Sequence, residues 1–466
     1  MSLVSTDAVS ASLGPCFVAG AGRPLLKCGS ALCRSSSFAG PTVNFSVASC
    51  SVVVGAFLGG LWSKRRPRKG TSVASAREDA DCLLNTYGHR ELVFTRGAGH
   101  HLYDAEGWEY LDFTSGIAVN CLGHCDQGWA EAVGMQAGTL AHTSNMYLTL
   151  PQVDLAEKLV KLSFADKVFF CNSGTEANEA AIKFSRKVHF SEGQPREQFV
   201  AFENSFHGRT MGSLALTWKD KYRTPFAPLM SSVKFLKYNT EDLTGISEHT
   251  CAVFVEPIQG EGGVVPGTSA FLRALRRRCD EVGALLVFDE VQSGLGRSGR
   301  LFAYELGGVV PDMLTLAKPL AGGLPIGAVL LSDKVASAIQ PGDHGSTFAG
   351  APVVCAAANY TINRLSDPGF LANVRSMGER LRAGLRSLAE PRGLTVRGEG
   401  LLNGVVFETA SSCSAVQRAA QERGLLVLTA GAGNVLRILP ALTVTASEVD
   451  EALAVLADSF NSCETN

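Results

Sequence analysis

Two residues suited to proton transfer and nucleophilic chemistry follow short apolar runs in this 466-residue chain. Asp289 comes directly after ALLVF (284–288), and Lys318 comes directly after MLTLA (313–317). An Asp and Lys pair usually forms no more than a salt bridge. The loop after Lys318, PLAGGLPIG, is rich in glycine and proline and leaves the amine without bulky neighbours. An amine in such a pocket can lose its proton and act as a Schiff-base nucleophile.

A third motif, NSGTE, follows the apolar run KVFFC (167–171). Ser173 and Glu176 have the spacing of a capping box, which predicts that a helix begins here. A helical apolar stripe follows, formed by Ala177, Ala180, Ala181 and Phe184. Free backbone N–H groups, a glycine and two hydroxyls at a helix start can bind a phosphate. Simple helix capping is the alternative, and the motif is neither GxxxxGKS nor GxGxxG.

The body of the chain alternates short apolar runs with helical patterns, which is typical of an α/β fold with a mostly parallel sheet. A fourth run, FVAF (199–202), also ends in polar residues, ENSFHGRT. Ligands of open α/β sheets bind beyond the carboxyl ends of the strands, so the four motifs indicate one site. A phosphate cradle, a buried acid for a pyridinium nitrogen and a nucleophilic lysine are what pyridoxal 5'-phosphate needs.

The chain resembles the class III (subgroup II) pyridoxal-phosphate aminotransferases over nearly all of Leu83 to Phe460. The resemblance implies the fold of type I pyridoxal-phosphate transferases, with a large, mostly parallel-sheet domain and a smaller α/β domain. It rests on a series of motifs in the expected order: FTSGIAVNCLGH, HTSNMYLT, FCNSGTEANEAAIKFSRK, SFHGRTMGSLALT, VEPIQGEGGV, VFDEVQSGLGRSG, LAKPLAGGLPIGA, HGSTFAG and LRILPALTVT.

The resemblance implies roles around the cofactor ring for four residues. Lys318 is similar to the lysine that bonds covalently to the cofactor and later moves a proton. Asp289 resembles the acid that pairs with the pyridine nitrogen and keeps it protonated. Gln292 is expected near the phenolic oxygen of the ring. Phe206 is expected to stack on the ring face, unless it is an ordinary core residue.

The resemblance also implies that Gly174 and Thr175 hold the cofactor phosphate. Thr347 is expected to join them from the partner subunit, which implies a homodimer; the alternative is a helix cap. The segment HGSTFAGAP departs from the family pattern, with Ala349 in place of a usual glycine and Ala351 in place of a usual asparagine. These departures concern the subunit contact rather than a group that carries out the chemistry.

For the substrate, Arg209 resembles the arginine that binds a carboxylate through both guanidinium nitrogens. Glu261 and Arg437 resemble a gate pair, in which the glutamate masks the arginine until a dicarboxylate needs it. Surface ion pairs are the alternative for both arginines. Ser346 and Asn145 are expected to be minor substrate contacts. His207, which follows the ring-stacking phenylalanine, is assigned no role.

The implied reaction is transfer of the δ-amino group between N-acetylornithine and 2-oxoglutarate, giving N-acetylglutamate 5-semialdehyde and glutamate, a step of arginine biosynthesis. The motifs HTSNMYLT and SGIAVNCLGH resemble the family members that use this amino donor more closely than those that use ornithine. Other ω-aminotransferase donors remain as alternatives: ornithine, 4-aminobutyrate or succinyl-diaminopimelate. A catalytically silent homologue would lack the lysine, the acid or the clamp, and all three residue types are present.

Charge is unevenly distributed along the chain. Residues 1–77 contain nine basic residues and one acid, whereas the rest contains 33 basic and 43 acidic residues. The acidic body offers no basic surface for nucleic acid. The serine-rich, basic segment 1–77 is typical of a cleaved organellar leader, with the plastid stroma favoured over the mitochondrial matrix. Its uncharged run 42–63 is long enough to span a bilayer, but serines and glycines dilute it, so no stable membrane anchor is expected.

Three segments are predicted beyond the leader. Residues 146–357 are expected to form the large cofactor-binding domain, and residues 78–145 and 358–466 the small domain. One long amphipathic helix is predicted near the carboxyl terminus from the stripe Phe370, Leu371, Val374, Met377, Leu381 and Leu385. Neither CxxC nor HExxH occurs, so we expect no metal site.

Overall fold

A computed structural model describes residues 83–88 and 91–464 of the protein. The predicted leader, residues 1–77 with its apolar run 42–63, lies outside the described residues, and its targeting role stays a prediction. In the described ranges, no helix combines the length and the apolar character needed to cross a membrane.

Strands and helices alternate through most of the described chain. The strands are β1 (Phe94–Ala98), β2 (His101–Asp104), β3 (Glu109–Asp112), β4 (Lys167–Cys171), β5 (Gln198–Phe202), β6 (Val233–Leu236), β7 (Thr250–Val255), β8 (Ile258–Gln259), β9 (Val265–Pro266), β10 (Leu285–Asp289), β11 (Met313–Leu316), β12 (Gly327–Leu331), β13 (Thr395–Glu399), β14 (Leu402–Val406), β15 (Leu425–Leu426), β16 (Leu428–Ala430) and β17 (Val435–Ile438). The helices are α1 (Ser115–Ala118), α2 (Gln127–Thr139), α3 (Leu150–Leu162), α4 (Gly174–Ser191), α5 (Met211–Ala215), α6 (Asp220–Arg223), α7 (Ser269–Val282), α8 (Tyr304–Gly307), α9 (Asp333–Ala336), α10 (Pro352–Leu365), α11 (Pro368–Ala389), α12 (Ala410–Glu422) and α13 (Ala446–Glu464).

The largest sheet in the described part of the chain has seven strands in the order β4-β12-β11-β10-β7-β5-β6. Strand β12 runs antiparallel to β4 and β11, and the other neighbours run parallel. Every residue of β7 and β10 is buried. Successive residues of β7, such as Val253 and Phe254, pack into different apolar clusters, one on each face. The predicted mostly parallel α/β sheet is therefore confirmed.

The four predicted apolar runs coincide with strands β4, β5, β10 and β11. Strands β10 and β11 are parallel neighbours, with Asp289 paired to Thr315. Their carboxyl ends therefore lie at the same edge of the sheet. The polar residues that follow them are brought together there, as predicted.

The carboxyl-terminal region contains the predicted long helix, α11. Val374, Leu381 and Leu385 of its apolar stripe are fully buried. Strands β13, β14, β17 and β16 form an antiparallel sheet nearby in sequence. Strand β15 instead pairs with β3, so residues from both ends of the described chain share one sheet. The division into domains at residues 146 and 357 stays a prediction.

Candidate active site

A cavity of about 450 Å³ lies at the carboxyl edge of the large sheet. It is lined by residues that follow β4, β5, β10 and β11, together with residues of the loop after β8. The cavity brings together these predicted site residues: Gly174, Thr175, Phe206, Arg209, Glu261, Asp289, Gln292 and Lys318. Polar groups from distant parts of the sequence converge in this one place.

The carboxylate of Asp289 is buried, with 4% of the residue exposed. Its Oδ2 accepts a hydrogen bond from Asn178 Nδ2 at 2.7 Å and lies 2.8 Å from His207 Nδ1. Its Oδ1 accepts a hydrogen bond from the Val291 backbone N–H at 3.0 Å. Three groups therefore fix the orientation of this carboxylate.

The amine of Lys318 lies in the same cavity. Burial, with a further contribution from the positive charge of Arg437, lowers the pKa of Lys318 to about 8, although nearby carboxylates including Asp289 oppose the shift. The Lys318 backbone has φ +38°, a left-handed conformation that residues other than glycine seldom adopt. Among the described residues, its amine has no hydrogen-bond or salt-bridge partner. Such an amine is suited to nucleophilic attack near neutral pH.

Helix α4 starts at the cavity, as the capping pattern predicts. The side chain of Ser173 accepts a hydrogen bond from the Glu176 backbone N–H at 3.3 Å. The Glu176 carboxylate reaches back to the Asn172 backbone N–H at 2.5 Å, one residue earlier than in a standard capping box. The first two residues of this 18-residue helix, Gly174 and Thr175, line the cavity. This end of the helix can bind an anion.

Two glycines allow close packing around this helix start. A Cβ on Gly174 would lie 2.7 Å from Val291 Cγ1. A Cβ on Gly208 would overlap the Thr175 hydroxyl oxygen, and Gly208 also has a positive φ of +139°. The same hydroxyl oxygen accepts hydrogen bonds from the backbone N–H groups of Arg209 and Thr210 at 3.3 Å. The glycines thus let the loops after β4, β5 and β10 approach one another.

Aromatic and cationic side chains lie beside each other at the cavity. Phe206 is partly buried, and its backbone N–H donates to Glu256 Oε1 at 3.0 Å. The guanidinium of Arg209 lies 3.7 Å from the ring centroid of Tyr222 and 5.6 Å from that of Phe206. Stacking on Tyr222 restricts the exposed Arg209 side chain while leaving its N–H groups free to bind a carboxylate.

The predicted gate pair forms an ion pair. Arg437 Nη2 lies 3.2 Å from Glu261 Oε2, and Arg437 Nη1 donates to Gln292 Oε1 at 3.2 Å. Burial lowers the pKa of Arg437, because a buried charge loses its hydration, and the Glu261 carboxylate opposes this effect. Glu261 lines the cavity, whereas Arg437 lies behind it and is 3% exposed.

Besides Arg437, three predicted residues lie outside the lining of the cavity. Asn145 and Ser346 line a separate cavity of about 360 Å³, where Asn145 Nδ2 donates to the Ser346 carbonyl oxygen at 3.1 Å. The Ser346 hydroxyl accepts a hydrogen bond from Asn172 Nδ2 at 2.9 Å, next to the phosphate loop. Thr347 is exposed. The roles assigned to these three residues stay predictions.

Sequence reasoning missed three buried polar residues of the site: Asn178, His207 and Glu256. Glu256 and His207 both follow apolar strands, β7 and β5, so the rule that located Asp289 could have found them. Asn178 lies between Ala177 and Ala180 on the buried face of α4. An asparagine at a core-facing position of a helix indicates a buried hydrogen-bonding role, and this was the signal that could have found Asn178.

Comparisons with known proteins agree with this geometry. A family model described as "Aminotransferase class-III" matches residues 84–460. The chain is 54% identical over 400 residues to a mitochondrial acetylornithine aminotransferase of Alnus glutinosa, a match that covers 84% of this chain and 88% of the relative. It is 46% identical over 384 residues to an acetylornithine aminotransferase of Clostridium acetobutylicum, covering 81% and 98%.

Solved structures show the same similarity. The N-acetylornithine aminotransferase from Stenotrophomonas maltophilia superposes with a TM-score of 0.71 at 39% identity, covering 81% of this chain and 98% of that one. The ornithine aminotransferase from Toxoplasma gondii ME49 superposes with a TM-score of 0.81 at 29% identity, covering 85% and 97%.

Proposed function

Because this chain belongs to the class-III aminotransferases, we propose that it transfers the δ-amino group of N-acetylornithine to 2-oxoglutarate, giving N-acetylglutamate 5-semialdehyde and glutamate. The main observation in favour of this proposal is that the Lys318 amine, the Asp289 carboxylate and the start of α4 line one cavity. The named relatives supply the choice of amino donor. The reaction belongs to arginine biosynthesis.

The residues present fit pyridoxal 5'-phosphate, the cofactor of this family. The amine of Lys318 lacks a partner among the described residues, and Asp289 is buried at the end of the neighbouring strand. The helix start beside Gly174 and Thr175 offers backbone N–H groups to a phosphate. When bound, the cofactor supplies an electron-accepting ring and a carbonyl carbon that carries the amino group.

Each residue around the ring then has a defined task. Lys318 Nζ would hold the cofactor covalently and would move the proton during transfer. The Asp289 carboxylate, which Asn178 and His207 orient, would pair with the pyridine nitrogen and would keep a proton on it. Gln292 would lie beside the phenolic oxygen, and Phe206 would cover one face of the ring.

The substrate carboxylates bind to arginines. Arg209 holds the carboxylate common to both substrates, and Arg437 binds the second carboxylate of 2-oxoglutarate after Glu261 moves aside. Asn145 and Ser346 make minor contacts near the phosphate loop. One fixed and one gated arginine allow a single cavity to accept a monocarboxylate and a dicarboxylate in turn.

We propose that the enzyme is a homodimer. A group of apolar side chains is exposed around residues 146–150 and 348, close in sequence to Asn145 and Thr347. The exposed residues are Met146, Tyr147, Leu148, Leu150 and Phe348. Contiguous exposed apolar surface is typical of a protein interface. In this arrangement Thr347 would reach the cofactor phosphate of the partner subunit.

We further propose that the protein works in an organelle. The composition of residues 1–77 favours the plastid stroma, whereas the relatives of Alnus glutinosa and Dictyostelium discoideum are named as mitochondrial. Expression of residues 1–90 fused to a fluorescent protein would distinguish the two compartments. The amino-terminal sequence of the imported protein would show whether residues 42–63 are retained.

The proposed activity is tested with purified protein that begins after residue 77. The rate with 2-oxoglutarate is measured for N-acetylornithine, ornithine, 4-aminobutyrate and succinyl-diaminopimelate. We expect a clear preference for N-acetylornithine. A preference for ornithine, the substrate named for the structurally similar Toxoplasma gondii enzyme, would overturn the proposal. The variant Lys318→Ala should lose both turnover and the visible absorbance of covalently bound cofactor.

A further inference from the structure

The Glu261 carboxylate lies between two cations rather than against one. Its Oε2 is 3.2 Å from Arg437 Nη2, and its Oε1 is 3.3 Å from Lys219 Nζ. Among the described residues, Glu261 has no other ion-pair partner. The two contacts use different oxygens, so the carboxylate can leave one cation while it stays near the other.

Lys219 occupies a restricted position. It directly precedes α6, and its side chain is 19% exposed. Its amine lies 5.7 Å from the ring centroid of Tyr222, the ring on which Arg209 stacks. The short segment 219–222 therefore holds Lys219 next to Glu261. Through the ring of Tyr222, the same segment also holds Arg209 beside the cavity. Lys219 is a fixed neighbour of the site rather than a free surface charge.

We propose that Lys219 is the third member of the gate, holding the Glu261 carboxylate when Arg437 binds the second carboxylate of a dicarboxylate substrate. This inference rests on the proposed function, because it assigns a specificity role within the same site. Lys219 acts through Glu261 and is therefore a positioning residue.

The physical reason is a difference between two states. In the structure, Glu261 is neutralised by both cations. Once Arg437 pairs with a substrate carboxylate, that carboxylate repels Glu261, and Lys219 becomes its main compensating charge. The Lys219 interaction is then stronger than before, so it favours the dicarboxylate-bound state. A monocarboxylate that uses Arg209 alone leaves Glu261 on Arg437 and gains nothing from Lys219.

Binding of two unreactive probes tests this difference without turnover. Glutarate carries two carboxylates and pentanoate carries one, and neither has an amino or keto group. Their dissociation constants are measured by calorimetry on the cofactor-loaded protein and its variants. In Lys219→Met we expect glutarate to bind about fivefold more weakly, while pentanoate binding is unchanged. Lys219→Arg should retain near-normal glutarate binding.

Two controls isolate the gate. Lys221→Met removes a positive charge from the same helical turn, at an exposed residue that forms no hydrogen bond or ion pair with Glu261 in the described part of the chain, and should leave both probes unaffected. In a Glu261→Gln background, Lys219→Met should have no further effect on the preference for glutarate, because the variant lacks the negative charge with which Lys219 pairs. If Lys219→Met does not fold, Lys219→Gln carries the same test.

The inference is overturned if glutarate and pentanoate weaken equally, or if neither changes in a folded Lys219 variant. An equal loss from Lys219→Met in the Glu261→Gln background would also overturn it. Failure of the proposed function is a separate outcome, seen as an absence of transamination with N-acetylornithine in the unchanged protein. The ratio of the glutarate and pentanoate dissociation constants can still be measured in that case.

Discussion

The side chains of His207 and Asp289 form a buried pair, with His207 Nδ1 2.8 Å from Asp289 Oδ2. The ionised carboxylate can only accept hydrogen bonds, so the imidazole nitrogen donates. His207 Nε2 is buried and has no hydrogen-bond partner among the described residues. Among the described residues, the contact with Asp289 is therefore the one hydrogen bond of the imidazole ring, which also packs edge-on against Phe254. Its position behind the acid is suited to orienting the carboxylate rather than to contacting substrate.

Replacing His207 by Phe should lower kcat roughly ten- to a hundredfold, as is typical when a group that orients a functional side chain is lost. The ring is kept but the donor to Asp289 is removed, so the acid holds the pyridine nitrogen less well. Stopped-flow measurement of kcat, with the absorption spectrum of the bound cofactor as a second readout, checks this. Unchanged kcat and an unchanged spectrum in a folded variant would mean that His207 only fills space.

Capture of the cofactor should depend on the protonation of Lys318. Its pKa of about 8, below the usual 10.5, means that the neutral amine predominates only above pH 8. The rate at which cofactor-free protein bonds to pyridoxal phosphate should therefore rise about tenfold per unit below pH 8 and level off above it. The growth of visible absorbance between pH 6 and 10 measures this rate. A rate that is still rising steeply at pH 9.5 would contradict a lowered pKa.

The sequence located Lys318 and Asp289 because each follows a buried apolar strand, and parallel neighbouring strands end at one edge. The start of α4 was predictable from local sequence signals, because Ser173 has the spacing of a helix cap and Ala177 begins an apolar stripe. Glu256 follows the fully buried strand β7 and obeys the same rule. It is missed because the four apolar runs considered in the sequence, those of β4, β5, β10 and β11, do not include β7.

Other contacts depend on tertiary packing that spacing does not reveal. Lys219 and Glu261 are 42 residues apart and belong to different loops. His207 was passed over because its type is not required by the chemistry, although its position after β5 indicated the site. Thr347 is exposed, and its proposed task depends on a second subunit. The spacing of residues within one chain says little about contacts with another.

Glu256 should make the protein less stable as pH rises through neutrality. Burial raises its pKa from 4.5 to about 7, although His207 and two backbone N–H bonds oppose the shift. The folded state then binds more protons than the unfolded state between these values, so stability present below pH 4.5 is lost as pH rises through 7. The loss is about 3 kcal/mol. In Glu256→Gln this component should disappear, as measured by urea unfolding at pH 5 and pH 8.

The unchanged protein must be compared with the Glu256→Gln variant, because Glu290 adds its own pH dependence to the stability of both. Glu290 is another buried acid with a raised pKa. A Glu256→Gln variant whose free energy of unfolding changes between pH 5 and pH 8 by as much as that of the unchanged protein would show that Glu256 is ionised throughout. Its hydrogen bonds to Phe206 and Gly260 would then belong to a carboxylate at all these pH values.

Mixed dimers should reveal whether Thr347 serves the neighbouring subunit. Thr347→Ala should weaken cofactor binding about tenfold or more, because a hydrogen bond to a charged phosphate is lost. Lys318→Ala should be inactive. If Thr347 acts across the dimer, a hybrid of the two variants contains one complete site, formed by Lys318 of one subunit and Thr347 of the other. Such a hybrid, purified with two affinity tags, should have about half the activity of the unchanged dimer at low cofactor concentration. If Thr347 acts within its own chain, neither site of the hybrid is complete, and the activity stays at the level of Thr347→Ala or below.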